Sequence, residues 1–489
     1  MHGEEVRLMQ ITKREFLKRL GIAAGAGLAG AARADEYTFT GEMLPPGAIG
    51  DPTKPGFGKN IFPLPHTIED GPSAFLRDGK VFQPARELPI FHKTDVVVVG
   101  GGPAGFAAAV AAARQGAKVA LVERYGSLGG LFTNGMVLIM LATGRKEESG
   151  RWTLVTRGIC DEFMKRARAL GGDVCDRIPS SSGDERHVQP TVDPEGAKYL
   201  MDTMVAEANV EMFFHSWGVD VIQAGNKVLG VVFESKQGRQ AILAKQVVDC
   251  TGDGDMFFAA GADYRQITHA MGFVTRLANI DRVTAKTPPK GADGEPLEGI
   301  WPLRSNEANG TTGWYGRLGP KGNGLDVREL SAAEVGHRKY WWETVRKMRA
   351  TPGWEQVYIA NTCSQIGPRN TRLLASGLVV DRRMVENGYD CPDVVGWMGS
   401  DGPHFKGVPV AYRSLVPNGV ENLLAAGRCL GAPDSCDIYR LICPCFVTGE
   451  AAGVAAAMAA EKGILPRDVP IAELQRRLRA ANVWLGCGT

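Results

Sequence analysis

Asp95-Val96-Val97-Val98-Val99 runs straight into Gly100-Gly101-Gly102-Pro103-Ala104-Gly105, and no other stretch constrains the fold of this chain as strongly. A continuous β-branched run reads as a strand buried on both faces. The Ala-rich residues 106–115 read as a helix ended by Gly116, and residues 118–122 as a second strand closing on Glu123. Together these form a βαβ unit of the dinucleotide-binding kind. Gly100 permits the tight turn, Gly102 lets backbone approach a pyrophosphate, and Gly105 lets helix and strand pack closely. Pro103 and Ala104 open the helix, whose free N–H groups and positive dipole end suit phosphates. Glu123, about 20 residues downstream, suits ribose hydroxyls and would repel a 2′-phosphate, which disfavours NADP. A second GxGxxG, from Gly25 to Gly30, follows no strand and is rejected as a nucleotide site.

Composition removes several classes. The 489 residues exceed one ordinary domain. With 56 basic against 54 acidic residues, a net charge of +2, no general basic field exists to attract nucleic acid. At 44% hydrophobic and 22% charged, the chain is neither disordered nor a multi-span membrane protein. Its 62 glycines are about twice the usual ~7%, which points to tight turns and close backbone approaches. Ten cysteines without a CxxC pair fit neither a disulfide scaffold nor a zinc ribbon, and no metal is expected.

Arg124 and then Gly126-Ser127-Leu128-Gly129-Gly130-Leu131-Phe132-Thr133 follow the acid. Here the chain resembles the FAD-dependent oxidoreductases related to succinate dehydrogenase/fumarate reductase flavoproteins and to the heterodisulfide reductase A-like group. In those families such a turn runs beside the isoalloxazine ring. Val247-Val248-Asp249-Cys250-Thr251-Gly252-Asp253-Gly254-Asp255 and Asn422-Leu423-Leu424-Ala425-Ala426-Gly427-Arg428-Cys429 match as well, the latter followed by an Ala-rich helix over 449–460. The resemblance implies an α/β fold: a Rossmann-like FAD-binding domain of the glutathione-reductase type, with a β-meander and an inserted α+β substrate domain. It also implies cofactor contacts from Gly129, Gly130, Leu131, Thr251, Gly252, Asp253, Gly427, Arg428 and Cys445, beside those of the βαβ unit. No counterpart exists of the histidine that carries covalent flavin in succinate dehydrogenases, so non-covalent FAD is expected. No second GxGxxG–acid unit follows a strand downstream, which argues against a separate NAD(P)H domain.

The expected organisation is a signal segment (1–34), an extended arm (35–93), an FAD-binding domain (94–261 and 411–470, with a lid-like insertion at 140–190), a substrate domain (262–410) and a tail (471–489). Strands of the meander are read at 210–214, 219–223, 227–234 and 241–245, and helices at 152–170, 196–208 and near 332–349. Trp341 and Trp342 are taken as packing residues.

Five residues are candidates for the chemistry. Ile366-Gly367-Pro368-Arg369-Asn370-Thr371-Arg372 resembles the family's IGxRExR stretch, with Pro368 and Asn370 as departures. Arg369 and Arg372 there serve either carboxylate binding or structural ion pairs. Arg440 falls where the family has an arginine close to flavin and substrate, just before a helix whose dipole would face the flavin pyrimidine edge. His404, with Tyr412 near, is the proton-shuttle candidate, ahead of His269. Cys429, Cys436, Cys443 and Cys445 are read as small buried packing residues, with a disulfide or redox-active thiol as the alternative.

Thr12-Lys13-Arg14-Glu15-Phe16-Leu17-Lys18, an uncharged stretch over 20–32 and the small-x-small Ala32-Arg33-Ala34 read as an export signal. The segment resembles a twin-arginine signal with Lys13 in the first arginine's place. The expected protein is therefore a periplasmic or otherwise exported flavoenzyme that transfers hydride between a small organic substrate and FAD. A quinone, c-type cytochrome or oxygen would be its electron partner. A fumarate-reductase-like reductase of an unsaturated acid and a flavin electron-transfer subunit are the alternatives. A flavin monooxygenase is disfavoured by the missing NAD(P)H site.

Overall fold

The computed structural model describes residues 74–147, 150, 152–177, 189–285, 289–295, 307, 309–399 and 407–486. The signal segment, the arm up to residue 73 and His404 lie outside them.

Val96, Val97 and Val98 are fully buried in β1 (Ile90–Val99), the strand that the sequence singles out. After it come α1 (Pro103–Arg114), β2 (Val119–Val122), α2 (Ile159–Leu170), α3 (Pro194–Glu207), β3 (Glu211–Phe213), β4 (Trp217–Ala224), β5 (Lys227–Ser235), β6 (Gly238–Asp249) and α4 (Asp255–Ala259). The chain continues through β7 (His269–Ala278), β8 (Thr312–Gly322), α5 (Val327–Arg349), β9 (Tyr358–Thr362), β10 (Leu423–Ala425), α6 (Cys436–Tyr439), α7 (Ile442–Lys462) and α8 (Ile471–Ala480).

One seven-stranded sheet, in the order β3-β2-β1-β6-β5-β4, carries the fold. Its strands β3, β2, β1 and β6 are parallel, and β10 joins β6 in parallel with Val247 opposite Leu423. β6 is forked. Residues 238–243 pair antiparallel with β5, while residues 247–249 lie between β1 and β10. The late segment 423–425 thus returns to the sheet begun at residue 90. The fold is mixed α/β. A second sheet, β8-β7-β9, packs with α5 around Phe273, Trp341, Trp354 and Met348.

Several elements differ from the sequence expectation for identifiable reasons. Residues 211–213 belong to the parallel sheet, paired with β2, and not to the meander, which is β4, β5 and the first half of β6. The expected strand at 241–245 and the Val247-Val248-Asp249 stretch are one strand, β6. The expected helix at 152–170 is broken: Trp152–Leu154 is a strand, and Gly158, at φ +68°, turns the chain into α2. Trp341 is buried, but the adjacent Trp342 is 63% exposed. The expected tail contains α8, whose Leu474 and Leu478 are fully buried.

α7 starts at Ile442, earlier than the Ala-rich run, because Pro444 is tolerated within a helix's first turn. Its length and apolarity would suffice to cross a membrane, yet Ile442 to Ala460 are buried here, packed on α1. Side-chain carbons on Gly449 and Gly453 would lie 2.0 and 2.2 Å from the carbonyl oxygens of Ala104 and Ala108. Only two backbones without intervening side chains can approach so closely. Phe106, Phe163 and Phe446 fill the space beside this crossing, with ring centroids 5.4–6.2 Å apart.

Glu450 is buried in the middle of α7, where one oxygen accepts the Ile159 N–H at 2.9 Å. Burial pushes its carboxyl up to about 8, against the pull of that N–H and of Arg114. The folded state therefore holds this proton more tightly than the unfolded chain does. The stabilising contribution is complete below the ordinary value of 4.5 and is lost as pH rises through about 8. Glu450→Gln, which cannot ionise, should lose less stability than the wild type between pH 5 and 9, by a few degrees of Tm. Melting curves across that range check this; parallel pH profiles for the two proteins would contradict it.

Candidate functional site

The carboxyl ends of β1, β2, β6 and β10 open into a cleft. The glycines of the first turn sit there for three different reasons. Gly100 has φ +95°, and a Cβ on it would strike the Cys250 carbonyl oxygen at 2.5 Å. A Cβ on Gly105 would lie 1.7 Å from the Gly100 oxygen, so helix and turn touch backbone to backbone. At Gly102 a Cβ would meet no protein atom nearer than Gly130 Cα at 4.0 Å. It would instead enter the cleft, beside the N-terminus of α1.

Glu123 ends β2 at the cleft wall and is buried. Its two oxygens accept the backbone N–H groups of Gly101 (2.6 Å) and Tyr125 (2.8 Å), which fix the carboxylate plane. Burial pushes its pKa upward and those two donors pull it back. Each oxygen keeps a further lone pair for a hydroxyl.

Asp249, at the end of β6, is fully buried and organises the next turn. One oxygen accepts the Thr251 N–H (3.0 Å) and hydroxyl (2.7 Å); the other accepts Met256 N–H (2.9 Å) and Phe257 N–H (3.0 Å). That turn presents Thr251 and Gly252 to the cleft, and Asp255 with them. Burial and the neighbouring Asp253 and Asp249 raise the Asp255 carboxyl to about 6. Asp253 points away from the cleft and accepts Arg428 Nη2 (2.7 Å) and the Thr371 hydroxyl (2.7 Å). Arg428 is thereby held on the cleft wall, and its buried Nη1 has no hydrogen-bond partner among the described residues.

Most residues read as cofactor contacts converge on this cleft: Gly100, Gly102, Pro103, Ala104, Glu123, Arg124, Gly130, Leu131, Thr251, Gly252, Gly427, Arg428 and Cys445 all line it. Gly105, Gly129 and Asp253 do not; they support it from behind. Gly129 donates its N–H to Gly101 O at 2.8 Å. The open space at Gly102, the orphaned Arg428 Nη1 and the fixed Glu123 carboxylate fit a dinucleotide with its pyrophosphate at α1.

The catalytic candidates separate. Arg440 lines the cleft beside Ile442 and Cys445, where α7 begins, and its Nε donates to Asp437 at 2.5 Å. Arg369 Nη1 lies 3.9 Å and His269 Nε2 3.6 Å from the same carboxylate. Burial alone would raise the Asp437 carboxyl, but Arg440, His269 and Arg369 together hold it below the usual range. His269 Nδ1 accepts the Ala270 N–H at 2.8 Å, so the neutral ring carries its proton on Nε2, facing Asp437. Burial lowers its pKa, aided by the two arginines and opposed by Asp437.

Arg372 is a structural residue: it donates to Asp253 O (3.0 Å) and Asp255 Oδ1 (2.9 Å) and lies over the Phe258 ring. Tyr412 is not at the cleft. It is buried, and its hydroxyl donates to Pro466 O at 2.7 Å. The nine described cysteines are all free thiols. Sequence reasoning missed Tyr125, Ser216, Trp217, Gly218 and Gln365 on the cleft wall, and Asp437 behind it. Only Asp437 had a local signal, three residues before Arg440.

A fold and site of this kind define a nucleotide-binding flavoenzyme. The chain belongs to the FAD dependent oxidoreductase family, whose model matches residues 95–478, and its cofactor is FAD. It is an oxidoreductase enzyme. Among characterised proteins, dihydrolipoyl dehydrogenase of Trypanosoma brucei brucei is 57% identical over 49 residues, 10% of each chain. The Manduca sexta enzyme of that name is 45% identical over 62 residues, 13% of this chain. The chain thus matches only about a tenth of the length of these relatives. Among solved structures, p-nitrophenol 4-monooxygenase from Pseudomonas putida aligns with a TM-score of 0.42 at 13% identity, over 82% of this chain and 91% of that one. A geranylgeranyl bacteriochlorophyll reductase-like protein from Thermoplasma acidophilum aligns with a TM-score of 0.39 at 15% identity, over 80% and 83%.

The two glycines give opposite expectations. Gly102→Val should fold with a near-normal melting temperature but hold FAD at least about 5–150-fold more weakly, the effect of overfilling a close contact. Gly105→Ala should instead lose solubility or melting temperature, because its Cβ has nowhere to go. Flavin absorbance and Tm of the two purified variants check this; full flavin occupancy in Gly102→Val would contradict the placement.

Proposed function

We propose that this protein is an exported oxidoreductase that transfers hydride between a small organic substrate and non-covalently bound FAD. The observation that carries this reading is Arg440. It stands on the cleft wall beside the start of α7, tied to an Asp437 carboxylate that Arg369 and His269 also approach. FAD, when bound, supplies the hydride chemistry. The chain's own residues supply the rest.

Arg440 and Arg369 against the single carboxylate of Asp437 leave net positive charge at this end, which suits a substrate carrying a carboxylate. Asp437 fixes the plane of the Arg440 guanidinium. In this reading proton transfer falls to His269 and Asp437 and not to Tyr412, which is committed to Pro466 O. Burial favours the neutral form of His269, whose proton sits on the nitrogen facing Asp437.

A relationship to succinate dehydrogenase/fumarate reductase flavoproteins, a domain of the glutathione-reductase type and a twin-arginine-type signal at Lys13-Arg14 belong to the same proposal. They rest on the motifs of the sequence alone. In the periplasm the electron partner would be a quinone, a c-type cytochrome or oxygen. Reduction of an unsaturated acid is the second reading, favoured by the two arginines.

One preparation tests these points together. The full chain should be recovered from the periplasmic fraction with its flavin, and one member of a small-carboxylate library should bleach that flavin or reoxidise its reduced form. Arg440→Lys should keep FAD and Tm yet turn that compound over roughly 10–150-fold more slowly, the loss of a charge-assisted bond whose planar fork Lys cannot reproduce. Unimpaired turnover in that variant would remove Arg440 from the mechanism, and cytoplasmic retention of all the protein would refute export.

A further inference from the structure

Arg328, Val335, Trp342 and Arg349 stand seven residues apart on α5, so they follow one line along the outside of the helix. Arg338, Lys339 and Arg346, one turn from members of that line, flank it, and the whole set is exposed. The buried residues of α5, Trp341, Val345 and Met348 among them, pack into the core of the second sheet. Val335 and Trp342 are each 63% exposed. Neither is needed for the helix, since Ala suits an exposed helical position better than a β-branched side chain or a large ring. Arg338 and Lys339 stand between them with long apolar stems, so the two form one apolar strip and not scattered surface residues.

The charge on this face has one sign. α5 carries six basic residues against three acidic ones. Glu334 accepts Arg338 Nη1 at 2.7 Å, and Glu343 lies 4.0 Å from Lys339. Arg328, Arg346, Lys347 and Arg349 have no carboxylate partner among the described residues; Lys347 donates to Ala292 O at 2.7 Å and Arg349 to Glu355 O at 3.3 Å. A second copy of the chain would not suit this face, because an isologous pair would set these cations against one another. An apolar strip within a cationic border matches the interfacial layer of a bilayer, which offers acyl chains to Val335 and Trp342 and phosphates to the arginines.

We propose that the outer face of α5 docks the protein on an anionic phospholipid surface, with Trp342 and Val335 entering the headgroup layer and the unpaired cations meeting lipid phosphates. The same helix supports the cleft from behind. Its Glu334 accepts the Ile366 N–H at 2.6 Å, and the neighbouring Gln365 lines the cleft. A docked molecule therefore holds that wall of the cleft close to the bilayer. Among the electron partners proposed above, this favours a quinone, the one that resides in a membrane; that clause rests on the functional reading, whereas the docking face does not.

Co-sedimentation of the full chain with vesicles tests the proposal, using phosphatidylcholine alone or phosphatidylcholine with about one third phosphatidylglycerol. The wild type should bind the anionic vesicles more tightly than the neutral ones, and should lose most of that preference between about 0.1 and 1 M salt. Arg328→Gln and Arg346→Gln should each weaken binding to anionic vesicles about fivefold, and the double variant about 25-fold, as charges near a lipid surface do. Trp342→Ala should weaken it roughly tenfold or more through lost apolar burial. These are surface changes, so Tm and flavin content should stay as in the wild type. Equal binding to the two kinds of vesicle, or variants that bind as the wild type does, would overturn the membrane face. A wild-type dimer that Trp342→Ala dissociates would overturn it as well, by assigning the face to a second copy. None of these outcomes reads flavin turnover, so failure here leaves the reaction assignment untouched.

Discussion

Backbone-to-backbone contact at small residues is the constraint on which the rest of this structure depends. Gly105 against the Gly100 carbonyl seats α1 on the end of β1, and Gly449 and Gly453 against Ala104 and Ala108 seat α7 on α1. Neither contact leaves room for a methyl group. Because both helix starts are fixed this way, their N-termini open on the same cleft, one near Gly102 and the other near Arg440. A segment near residue 100 and one near residue 445 thus become two walls of one site, although more than 300 residues separate them.

The cleft is polarised along its length. At one end Glu123 is fixed by two backbone donors and flanked by Arg124 and Trp217. At the other, Arg428 and Arg440 stand near the start of α7, each tied to one carboxylate that points elsewhere: Asp253 for Arg428, Asp437 for Arg440. Those carboxylates orient the arginines without filling the cleft. Acid for hydroxyls at one end and cations at the other suit a long ligand with a neutral sugar and an electron-accepting ring at its two extremities.

How much of this was legible in the sequence follows from the range of the interactions. The unit from Val96 to Glu123 was fully readable, because strand period, turn glycines and terminal acid are local signals. The forked β6 was not, since its two halves take different neighbours and one of them, β10, lies far along the chain. Trp217 and Gln365 line the cleft from segments far along the chain from the glycine turn, and no nearby motif announces them. Arg372 and Tyr412 show the opposite error. Each stands beside another candidate of the sequence reading, Arg372 near Arg369 and Tyr412 near His404, but Arg372 is turned to Asp253 O and the Asp255 carboxylate and Tyr412 to Pro466 O. Sequence proximity located the neighbourhood and not the direction.

The account's central claim is one FAD per chain, held in this cleft without a covalent bond. Acid precipitation of the purified full chain, followed by chromatography and mass measurement of the released cofactor, tests it most directly. The account predicts close to one equivalent of intact FAD in the supernatant and a colourless pellet. Flavin retained in the pellet, release of FMN, or release of a nicotinamide dinucleotide in its place would contradict it.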